Sequence, residues 1–187
     1  MTEYNFAEEI GKIKNAFEKP EIIELKQSAN SSIREAVLEN NRLTAKIALV
    51  SYCLFKLCTK EHIVQNKNWQ NVRKAILKDL ESAMNAAKQD YFLEIEKKMD
   101  SIIKDVNEID SELGFFLTGI FEKSKIKLAS TAYVMGLSLG QAAELTGAEK
   151  KQLSQYIANT TISEEEIPSI GISDRLEKIK KILKEKK

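Results

Sequence analysis

The chain has 187 residues, 43% of them hydrophobic, with 29 basic and 28 acidic side chains and a formal net charge of +1. That length suits one domain, or a larger and a smaller one, and near-neutrality excludes a nucleic-acid coat protein basic over its whole surface. Seven glycines and two prolines, with Leu, Ile, Ala, Lys and Glu dominant, favour an all-α fold over a strand-rich one.

Phe6, Ile10, Ile13 and Phe17 recur at helical spacing and predict a first helix over 3–18, closed by Pro20. Ile22, Ile23, Leu25, Ala29, Ile33, Ala36 and Val37 carry a second helix toward Asn40-Asn41, with a polar break at Ser28 to Ser32 that bends it. Leu43 to Thr59 is hydrophobic nearly all round, which predicts a central, buried helix. Lys46 and Lys56 interrupt it, and no stretch reaches the roughly 18 apolar residues a membrane span needs. The opening Met-Thr-Glu-Tyr-Asn lacks the basic region and apolar block of a secretory signal, so a cytoplasmic location is the expectation.

Cys53 and Cys58 lie five apart on that helix and diverge too far for a mutual disulfide. Cys58 and His62 are four apart, but they lack the acidic partners a metal site would want. A polar connection over 61–68 leads to a fourth helix marked by Trp69, Val72, Ile76, Leu80, Ala83, Met84 and Ala87.

Ile95, Met99, Ile102, Val106, Ile109, Leu113, Phe116 and Ile120 then follow unbroken steps of four and three. That is a heptad seam, in one long helix or in two meeting near Asn107 to Ser111. Ile103 and Leu117 widen the stripe, which favours packing within the chain over a homodimer joined through the Ile95–Ile120 seam. Leu128, Ala129, Ala132, Tyr133 and Met135 predict a scaffold helix ended by Gly136.

The segment from Ser138 to Ile157 reads as two short helices around a tight turn. Ala142 and Ala143 are small where the second helix must cross closely, and Gly147 stands where a left-handed residue is needed. Leu153, Tyr156 and Ile157 supply an apolar face. This pattern, over residues 128–157, resembles the helix-turn-helix of DNA-binding regulators and antitoxin-like proteins.

The resemblance implies that the second helix enters the major groove of double-stranded DNA. Lys150 and Lys151 would then meet phosphates or guanine edges, Ser154 and Gln155 would read bases, and Gln152 and Asn159 would stand at the margins. One departure concerns Thr146, which replaces the larger aliphatic residue usual before the glycine, while Leu145 faces outward. Either the first helix is rotated, or Leu145 packs on the N-terminal bundle.

From Leu137 to Thr160, Lys150 and Lys151 are cancelled by Glu144 and Glu149. Binding would therefore borrow charge from Lys123, Lys125, Lys127 or the tail. Helix pairs of this shape also serve as protein-contact modules, so a helical adaptor with a protein partner is the rival reading. After Glu164-Glu165-Glu166 and Pro168, a capping-box start at Ser173 opens a tail helix with seven basic and three acidic residues.

Nothing points to catalysis. The chain has one histidine, no Glu-x-x-His pair, and no Lys-Ser/Thr after Gly114-x4-Gly119 or Gly136-x3-Gly140. The expectation is a non-enzyme without cofactor or metal. Its organisation is a helical bundle over 1–122, a helix-turn-helix module over 123–160, and a linker with a basic amphipathic helix over 161–187.

Overall fold

The computed structural model describes residues 4–112 and 119–160. The predicted tail helix, the acidic run before it, and Leu113, Phe116 and Leu117 of the seam lie outside the described residues. Those described form helices and no strand, so the fold is all-α.

Each early boundary has a local cause. Asn5 caps α1 (Phe6–Glu18) by accepting the Glu8 N–H at 3.0 Å. Asn40, left-handed at φ 51°, ends α2 (Ile22–Glu39). Its neighbour Asn41 starts α3 (Arg42–Cys58), its side-chain oxygen taking the N–H groups of Leu43 and Thr44 at 2.9 and 3.1 Å. Two adjacent asparagines thus stop one helix and start the next.

The central position expected of α3 is observed. It touches α1, α2, α6, α7 and α8, and Ile47, Ala48, Val50, Cys53, Leu54 and Leu57 are fully buried on it. Residues 61–68 contain a single helical turn, α4 (Glu61–Val64), that the sequence reading misses, and Ile63 anchors it in the core. His62 is exposed on this separate turn and does not continue the α3 face that carries Cys58.

The polar stretch of α2 is no break. Ser28 and Ser32 are buried, and Ser31 and Ser32 donate to Glu9 Oε1 at 3.4 and 3.3 Å. α2 runs as one helix because α1 supplies the acceptor its serines need.

α5 (Trp69–Ala87) packs along α1 and α6 (Phe92–Glu112). Phe17 meets Trp69 edge-on at 6.0 Å, and the Arg73 guanidinium donates to Glu18 O at 2.5 Å, satisfying a carbonyl at the end of α1. Ile95, Met99, Ile102, Val106 and Ile109 all face the core of the same chain. The described part of the heptad seam is therefore covered within the chain.

α6 is described to Glu112, next to the 107–111 stretch, and α7 (Ile120–Val134) is a separate helix. Buried Asp110 accepts the Ile120 N–H at 2.8 Å and so caps α7 from the preceding helix. A Cβ on Gly119 would stand 2.8 Å from that carboxylate oxygen, so a larger residue there would make the Asp110 side chain shift. The proposed boundary between 122 and 123 falls inside α7, whose Ile120 and Leu128 belong to the main core.

Burial pushes the thiols of Cys53 and Cys58 up, to about 12 and about 11. An unfolded chain loses these protons from about pH 8.5, while the folded chain keeps them. The unfolded state then binds fewer protons, so stability falls as pH rises above that point. Denaturant titrations at pH 8 and pH 10 will show this fall, and Cys53→Ala will reduce it. An equal fall in the variant would exclude Cys53 as a source.

Candidate nucleic-acid interface

The corner is built from α7, α8 (Leu139–Thr146) and α9 (Lys150–Asn159). Ser138 opens α8 with a reciprocal capping box. Its hydroxyl accepts the Gln141 N–H at 3.2 Å, and Gln141 Oε1 accepts the Ser138 N–H at 3.0 Å. Gly147 closes α8 at φ 69°, its N–H donating to Ala143 O. The Ala148 N–H shares that carbonyl at 3.0 Å, which turns the chain into α9 within three residues.

A small second core holds the corner together. Ala129 and Ala132 of α7, Ala142 and Ala143 of α8, and Leu153 of α9 are all buried. Four alanines let the helices approach closely, and Leu153 is the one large side chain filling the space between them. Val37, Leu137, Leu139, Ala148 and Ile157 pack around this group.

Leu145 is only 6% exposed and belongs to the main core, beside α3. Of the two arrangements the sequence left open, the second is observed: Leu145 ties α8 to the bundle. Buried Thr146 satisfies its hydroxyl by donating to Ala142 O at 2.9 Å. Arg42 at the start of α3 pairs with Glu144 on the outer side of α8. Both partners are largely exposed, so the pair adds little stability.

Five of the six predicted contact residues (Lys150, Lys151, Ser154, Gln155 and Asn159) are exposed on α9, and Gln152 is half-buried. At about 100° per residue, Lys151, Gln155 and Ala158 point directly away from Leu153, with Ser154 and Asn159 flanking them. Both lysines lie in the first helical turn. Exposed Glu149 caps that turn and puts a carboxylate at the same tip.

Of the residues expected to lend charge, Lys125 is engaged with Glu122 at 2.7 Å and lies over the Phe121 ring. Lys123 and Lys127 instead line a cavity of about 620 Å³ between α3, α7 and α9. Tyr156 is also turned to this cavity rather than to the small alanine core where sequence placed it. The cavity is the feature sequence reasoning missed. Its only local trace is lysine pairs four apart, Lys56 with Lys60 and Lys123 with Lys127.

Among the described residues no cluster of three His, Cys, Asp or Glu stands ready for a metal ion, and no helix is long and apolar enough to cross a membrane. No family model, curated protein or solved structure matches the chain.

Proposed function

We propose that this protein binds double-stranded DNA through α9 and acts as a transcriptional regulator or antitoxin-like protein. One observation carries the reading. Leu153 is fully buried while Lys150, Lys151, Ser154, Gln155 and Asn159 on the same helix are exposed. A helix held by one face and offering lysine, hydroxyl and amide groups on the other has the chemistry to enter a major groove. Had those groups been covered by the bundle, the proposal would have ended there.

Mobility-shift titration on random duplex pools at two salt concentrations tests it. Binding that weakens steeply with salt supports the reading, and no shift at low salt removes it. A further variant tests orientation. Glu149 makes no side-chain cap hydrogen bond, so its charge favours the helix dipole but opposes an approaching phosphate. Glu149→Gln will tighten duplex binding about two- to fivefold and slightly lower stability. Unchanged affinity would place the tip of α9 away from the duplex.

The rival is a helical adaptor, and exposed apolar side chains favour it at one place. Tyr91, Phe92 and Leu93, at the turn into α6, are 61%, 49% and 66% exposed. Leu145 is buried against the bundle and offers no contact to such a partner.

A further inference from the structure

We infer that a second cavity, at one end of the bundle, binds a small organic cation with an alkylated ammonium head. Its volume is about 620 Å³, within the range of small-molecule sites, and none of its residues lies on α7, α8 or α9. Three places in the chain meet there: the start of α1, the corner between α2 and α3, and the corner between α5 and α6. They meet because α1 packs on both α2 and α5, α2 on α3, and α5 on α6.

The walls are aromatic. Tyr4 and Phe6 stand edge to face, their centroids 4.9 Å apart at 80°, and Phe6 and Phe92 do so at 5.6 Å and 68°. All three rings line the cavity, and Phe92 stays 49% exposed despite its size and apolarity. A hydrogen bond of 2.9 Å between the Tyr4 phenol and the Ser32 hydroxyl fixes the first ring. Rings set nearly at right angles around a hollow suit an alkylated ammonium, which is drawn to their electron-rich faces.

The charge on the walls is of one sign. Glu39 and Asp90 line the cavity, and among the described residues no lysine, arginine or histidine does. Neither carboxylate takes part in an ion pair among the described residues. Asn5 and Asn41, the amides of the wall, use their side-chain oxygens to cap α1 and α3. Burial holds the Tyr4 phenol above its ordinary range despite the Ser32 bond, and the carboxylates of Glu9, Glu35 and Glu39 raise it further. A field that opposes a phenolate favours a cation in the same place.

Asp90 is left-handed at φ 55°, where α5 gives way to α6, a position that glycine or asparagine also fills. The turn itself needs no carboxylate, so Asp90→Asn removes the charge and keeps the backbone.

Calorimetric titration of the full chain with choline, and separately with its uncharged analogue carrying a tert-butyl group in place of trimethylammonium, tests the site. The expected result is saturable binding of choline, about tenfold tighter than that of the analogue. Asp90→Asn and Glu39→Gln should each weaken it about threefold, since each removes a negative charge beside the ammonium. Phe92→Leu, which keeps an apolar side chain but no ring, should weaken it about fivefold. Glu149→Gln on α9 is the control and should leave choline affinity unchanged. Glu39 and Asp90 are exposed, so their variants should melt with the parent and carry the test even if Phe92→Leu fails to fold.

Three results would overturn the inference. One is no saturable binding of choline. Another is equal binding of the uncharged analogue, which makes the hollow a plain apolar cleft. The third is choline binding that Glu149→Gln weakens as much as the cavity variants, which marks general surface charge. Duplex binding through α9 is tested on other residues, so either reading can fail without the other.

Discussion

Leu153→Ala is expected to cost about 2–5 kcal/mol and to release α9, the range for truncating a buried leucine where neighbours cannot close the gap. Its side chain is fully buried, and the other buried members of the second core are alanines, with Val37, Leu137, Leu139 and Ile157 packed around them. Alanines have no longer side chain to move into the space, so the surrounding aliphatic side chains can close it only in part. α9 rests on α7 and α8, whereas Leu145 fixes α8 to the main core. Hydrogen exchange should therefore show lost protection over Lys150–Asn159, with α3 and α5 still protected. DNA binding should disappear with it. Uniform loss of protection over the whole chain would instead make the second core inseparable from the bundle.

On the proposed reading, Lys150→Ala/Lys151→Ala is expected to weaken duplex binding with almost no effect on stability. Both side chains are exposed, and alanine is the better helix former. Each phosphate contact contributes about 0.9 to the salt slope, so losing two should flatten it by about 1.8. Duplex affinity should fall at least tenfold near 0.1 M salt. Thermal denaturation of the variant should match that of the parent protein. If the parent binds duplex DNA and the variant binds equally well with the same slope, α9 is not the contacting helix.

The two variants separate the roles of the same helix. If α9 contacts duplex DNA as proposed, Leu153 holds it in place and the lysines make the contact, so one substitution is expected to change fold and binding together and the other binding alone. The adaptor reading predicts no duplex binding for either protein. It would direct attention to Tyr91, Phe92 and Leu93, where a partner could cover apolar surface.

Much of the fold was legible along the chain because its causes are local. The stripe of Phe6, Ile10, Ile13 and Phe17, the all-round apolar character of α3, the paired asparagines and the left-handed Gly147 each act within a few residues. Asn40 and Asn41 cap by contacts no more than four residues away. The exposed face of α9 followed from the same periodicity, once Leu153 was taken as its inward point.

Tertiary structure alone decided what each face meets. Periodicity gives the apolar side of a helix but not its neighbour, and only the structure shows the α6 stripe packed in the core of its own chain. The serines of α2 looked like a break because their acceptor, Glu9, lies more than twenty residues earlier. Leu145 looked outward because α3, which covers it, lies far away in sequence. The lysine cavity joins residues from 52 to 156. Nothing in the spacing of side chains records contacts closed over such distances, because they depend on how whole helices pack and not on the turn that each residue occupies.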